Sequence, residues 1–63
     1  MDVRTRPSRR GVGATDLWID GVYRGTVFPH HRGGLVVVAA SGKRADHLFA
    51  GLDQAADWLF QQH

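Results

Sequence analysis

Hydrophobic and polar positions along this chain change their period partway through. From Ala14, ATDLWI leads into Asp20-Gly21 and then VYRGTVF, two β-rich runs separated by a dipeptide suited to the positive φ angles of a type I′ turn. The pattern predicts a hairpin in which Ile19 faces Val22, Trp18 faces Tyr23 and Leu17 faces Arg24. Pro29 ends the second run, and PHHRGG reads as a loop with conformational freedom at Gly33 and Gly34. LVVVAA is apolar in both phases, as a central strand would be, and Ser41-Gly42 turns it back into KRADHLF, a last strand with poor alternation. From Gly51 the period lengthens. Leu52, Ala55, Ala56 and Leu59 fall at i, i+3, i+4 and i+7, one stripe of a helix that Trp58 widens. Asp53 sits in the first turn, where its charge complements the helix dipole, and Gly51 is the N-cap.

The expected fold is therefore α+β: a small antiparallel sheet of three to four strands packed on one C-terminal helix. One helix covers only one face of a sheet. If it covers Trp18, Tyr23 and Val27, then Leu17, Ile19, Val22 and Phe28 project to the opposite side, joined by one phase of LVVVAA, with Val36 and Val38 the candidates. Such a patch exceeds what a soluble monomer normally exposes, and predicts an interface, most economically a homodimer or a protein partner.

Composition narrows the classes. A chain of 63 residues forms one domain of modest stability. It has no cysteine, which leaves neither disulfides nor thiolate zinc to staple it. Trp18, Trp58, Tyr23, Phe28, Phe49 and Phe60 supply large apolar surface for one core. No apolar run approaches the roughly 20 residues of a membrane span, and nothing resembles a signal peptide, so a cytoplasmic location is expected. The formal charge is +2. Residues 1–13 hold Arg4, Arg6, Arg9 and Arg10 against Asp2, a balance of +3, whereas residues 14–63 hold four basic residues against five aspartates, a balance of −1. MDVRTRPSRRGVG, with Pro7, Gly11 and Gly13, is expected to be a flexible basic tail preceding a single domain at 14–63.

Tyr23-Arg24-Gly25, the apolar strand 35–40, the turn Gly42-Lys43-Arg44, and Phe49 followed by Ala55 and Trp58-Leu59 occur in an order that resembles the APETALA-type DNA-binding domain and its relatives at the N-termini of phage tyrosine integrases. The resemblance covers residues 23–59. It implies three strands followed by a helix, a small phage or bacterial protein, and a sheet face that meets DNA through arginines, with Arg24 and Lys43 or Arg44 at the family's basic positions. The middle strand departs from the family: where charged residues would stand among apolar ones, this chain has only valine, leucine and alanine.

Other candidate chemistry is sparse. His30, His31 and His47 lack the spacing of a metal site, and Asp46-His47 has no nucleophile at a recognisable distance along the chain. The sequence thus predicts a non-enzymatic module without cofactor, metal or small-molecule substrate. Its first expected partner is DNA, with phosphate contacts from Arg4, Arg6, Arg9, Arg10, Arg24, Arg32, Lys43 and Arg44. The alternative is a protein-interaction module using Leu17, Ile19, Val22, Phe28, Val36 and Val38.

Overall fold

A computed structural model describes residues 2–62. The chain folds as β1 (Val3–Pro7), β2 (Thr15–Ile19), β3 (Val22–Pro29), β4 (Leu35–Ala39) and α1 (Leu52–Gln61). The strands form one antiparallel sheet in the order β1-β2-β3-β4, and α1 packs across the middle of it, against β2, β3 and β4. The α+β class expected from the hydrophobic pattern is the one observed.

Two of the expected segments exchange roles. Residues 3–7, read above as flexible tail, are an edge strand with all five residues exposed and in regular register with β2, from Val3↔Ile19 to Pro7↔Thr15. VRTRP does alternate with a period of two, but arginine occupies the positions where an apolar signal would be looked for. Charge and a terminal proline are common on edge strands because they discourage pairing with another chain. Conversely, KRADHLF forms no regular strand. It touches β4 through two isolated bridges, Val38↔Arg44 and Leu35↔Phe49. Four residues lie between Arg44 and Phe49 but only two between Leu35 and Val38, so the surplus, including exposed Asp46 and His47, bulges out of the ladder.

The hairpin turn is as expected: Asp20 and Gly21 have φ of 52° and 81°, and Ile19↔Val22 and Trp18↔Tyr23 are paired. The next pair is Leu17↔Gly25 rather than Leu17 with Arg24, which makes Arg24 the extra residue of a β-bulge. That single insertion changes the phase of the rest of β3. Val27 lands under the helix, as expected, but Tyr23 does not accompany it.

The face assignment of β2 is the main correction. Leu17 and Ile19, expected on the uncovered side, are fully buried with Val27, Val37, Ala39, Ala55, Ala56 and Leu59, while Trp18 and Tyr23 lie half-buried on the other face. The reason is clearance. Gly25 and Ala39 from the sheet meet Ala55, Ala56 and Leu59 from the helix, and such small residues let the helix sit too close for an indole to lie between. Phe49, from the bulged segment, and Trp58 close the end of this core, with rings 6.1 Å apart. Leu52, expected in the buried stripe, is 41% exposed at the first turn.

Candidate nucleic-acid interface

Alternation along each strand places Arg4 and Arg6 of β1, Asp16 and Trp18 of β2, Tyr23, Thr26 and Phe28 of β3, and Val36 and Val38 of β4 on the face turned away from α1. Arg44 joins them as the bridge partner of Val38. The aromatic and aliphatic members are half-buried by one another. The cations stand at the two margins. Four strand spacings separate Arg4 and Arg6 from Arg44, about 19 Å at the usual 4.7–4.9 Å per strand.

A hydrogen-bonded chain stiffens the middle of this face. The Thr26 hydroxyl, wholly buried, donates to Asp16 Oδ1 at 2.6 Å and therefore accepts from the Tyr23 hydroxyl at 2.7 Å. The carboxylate at the centre of the face is thus engaged with a neutral partner. Trp18 and Tyr23 pack at 5.3 Å with their planes tilted by 57°, and the Arg6 guanidinium lies over the indole, 5.6 Å from its centroid. Arg4 makes a hydrogen-bonded ion pair with Asp2 at 3.2 Å, both side chains largely in water, a pairing weak enough to be exchanged for a phosphate. At the opposite margin a groove of about 460 Å³ is lined by His30, Val36, Arg44, Asp46 and His47. There the His47 imidazole donates toward Asp46 at 2.8 Å and holds the Asp46 carboxyl below its ordinary value of 3.8.

The remaining basic residues are distributed less favourably. Arg9 and Arg10 are exposed in the turn between β1 and β2, which is ordered by hydrogen bonds from Ser8 N–H to Ala14 O and from Arg10 N–H to Ser8 Oγ. This turn adjoins the open face, since a Cβ on Gly11 would lie 3.9 Å from the Phe28 ring. Lys43 is exposed beside Arg44, and Arg32 is exposed in the β3–β4 loop. Arg24 is the clear correction. As the bulge residue it turns toward the helix terminus, where its guanidinium lies over Phe60 at 5.8 Å and donates to the Gln62 carbonyl at 3.4 Å. Its Nε is buried without a hydrogen-bond partner among the described residues. Arg24 belongs to the helix side and is withdrawn from the face that the family resemblance assigns to it.

Of the expected apolar interface residues, Phe28, Val36 and Val38 are on the open face, Leu17 and Ile19 are in the core, and Val22 is 53% exposed at the hairpin tip in the phase of Ile19. Trp18 and Tyr23 are the face residues that sequence reasoning assigned to the core; the small residues in α1 and at Gly25 were the available signal that no indole fits there. Among the described residues, no group of three or more His, Asp or Glu side chains is arranged to hold a metal, and no helix is long and apolar enough to cross a membrane. Comparison of the chain with protein-family models, with curated proteins and with solved structures returned no match.

Proposed function

We propose that this chain is a non-catalytic DNA-binding module that lays the open face of its sheet against the sugar-phosphate backbone. The observation that carries this reading is the segregation of charge between its two sides. The open face gathers Arg4, Arg6 and Arg44, with Arg9, Arg10 and Lys43 beside it; its central carboxylate, Asp16, is bonded to Thr26, and Asp2 and Asp46 stand at the margins, paired with Arg4 and His47. The helix side carries Asp53 and Asp57 on α1, with Arg24 as the cation at its C-terminal end. Such a dipolar molecule orients its basic side toward a polyanion before contact, and cations at margins about 19 Å apart reach phosphates on either side of a groove roughly 12 Å wide.

The test is a mobility-shift titration over a salt series, using a DNA duplex with an unpaired extension. Each phosphate neutralised steepens the logarithmic salt dependence by about 0.7–0.9. Replacing Arg4, Arg6 and Arg44 by glutamine should therefore flatten the slope by roughly 2–3, while Arg24→Met should leave it unchanged. Charge substitution is preferable to deleting the N-terminus, because deletion would remove β1 from the sheet. Absence of binding at low salt removes the proposal.

A second reading rests on a separate observation. Phe28, Val36 and Val38 form an apolar cluster on the same face, which favours a protein contact or a homodimer through stacked sheets. Sedimentation equilibrium distinguishes the two: a dimer abolished by Val36→Lys supports this reading, and a monomer at high concentration removes the homodimer.

A further inference from the structure

The margin of the open face at β1 carries a more specific site. Arg4, Thr5 and Arg6 form one wall of a groove of about 430 Å³, and Trp18 and Gly21 form the other. This is within the size range of small-ligand clefts. It combines what a nucleotide requires: a planar aromatic surface, two guanidinium groups on adjacent positions of one strand face, and no carboxylate in its lining. We propose that this groove binds one unpaired nucleotide, its base stacked on the Trp18 indole and its phosphate held by Arg6 and Arg4.

The proposal rests on the DNA-binding reading and narrows it to a strand with at least one base out of its stack. A base paired within a duplex presents only its edge in a groove, whereas an indole offers its broad face, and only a splayed base can use it. The structure also supplies the exchange by which the site fills. Arg6 now covers the indole through a cation–π contact, and Arg4 is held by Asp2. Both arginines are exposed and weakly bound. When a base takes the indole face, Arg6 is freed to move to the phosphate attached to that base, so its contact with the ring is replaced by a charge-assisted hydrogen bond. Behind the ring, the tilted contact with Tyr23, itself tied to Thr26 and Asp16, keeps the indole from turning away.

Binding of the full chain to an oligothymidylate single strand and to a blunt duplex of equal length tests the site through tryptophan emission and affinity. The single strand should bind more tightly by about tenfold and quench emission, and the quench should vanish in Trp18→Phe, where only Trp58 remains to report. Trp18→Ala should lose about 5- to 100-fold for the single strand and little for the duplex. Should Trp18→Ala fail to fold by circular dichroism, Trp18→Leu serves instead, with the same selective loss expected for the single strand over the duplex. An undiminished quench in Trp18→Phe, a folded Trp18→Ala that binds the single strand as the parent does, or a preference for the blunt duplex overturns the nucleotide site while leaving DNA binding standing. Binding to neither probe overturns both.

Discussion

Gly25→Ala tests how the helix is seated on the sheet. Gly25 is buried opposite Leu17 on one side and Ala39 on the other, and a methyl group there would collide with the Val38 carbonyl, stand 2.8 Å from Leu59 Cδ2 and 3.1 Å from the Ala39 Cα. The Leu59 side chain is fully buried and has nowhere to swing, and the other two neighbours are backbone. Relief therefore requires β4 to shift away from β3 at Val38 and Ala39 and α1 to lift by about 1 Å, and the lift alone forfeits a quarter to a half of the dispersion energy along its buried stripe. Overpacking of this kind costs about 1–3 kcal/mol, and the backbone collision puts this site at the upper end. A domain of this length is stabilised by only about 3–9 kcal/mol, so the variant should lose a third or more of its stability. Urea denaturation followed by far-ultraviolet circular dichroism gives the measurement. An unfolding free energy within about 0.5 kcal/mol of the parent would refute the close helix–sheet approach, and with it the explanation of why Trp18 lies outside the core.

Three further outcomes follow from individual contacts. Arg24→Met should cost about 0.5–1.5 kcal/mol by removing the cation from the C-terminal end of α1, measured by the same denaturation, with no change in the salt dependence of DNA binding. Gly51 adopts an extended N-cap conformation without a side-chain hydrogen bond, and a Cβ there meets nothing within 4 Å, so Gly51→Ser should raise stability by a few tenths of a kcal/mol in thermal melts. The carboxyl of Asp46 is lowered chiefly by the hydrogen bond from His47, so its contribution to stability is present above the ordinary carboxylate value and is lost as pH falls through the lowered folded value. In His47→Ala the Asp46 titration observed by NMR should move upward, and an unmoved curve would show that the contact does not persist in solution.

What was legible in the sequence divides according to the strength of local patterning. The Asp20-Gly21 turn, strand 35–40 and the helix from residue 52 carry signals that need no tertiary information, and all three are where the pattern put them. β1 leaves no apolar signal because an edge strand buries nothing: Arg4 and Arg6 have no need to be apolar, and only pairing with β2 fixes them. The strand expected at residues 43–49 was overread for the opposite reason. Ala45 and Phe49 are buried and lend it an apolar look, yet they enter the core from a loop. Residue size alone does not say which face of the sheet is inside. Aromatic bulk argued for Trp18 and Tyr23, but the volume available is set by the helix, whose alanines admit Leu17, Ile19 and Val27 instead.

The bulge at Arg24 is where fold and proposed function meet. Without an extra residue in β3, regular alternation from Tyr23 would keep Arg24 out of phase with it and place Gly25 on the open face, so that the glycine would not lie beneath Leu59. Insertion of Arg24 lets Tyr23 stay with Trp18 on the open side while Gly25 occupies the one point where the helix needs an absent side chain. It also settles the fate of the arginine itself, which leaves the open face for the end of α1. The basic surface is consequently supplied from outside the central strands, by β1 at one margin and by Arg44 at the other. The central positions are left to Trp18, Tyr23, Phe28, Val36 and Val38. On the proposed reading, a face built this way would contact phosphates at its rims and offer apolar surface between them. That division of labour favours recognition of strand geometry and exposed bases over hydrogen-bonded readout of base edges in a groove, because the middle of the face holds few polar groups with which to read them.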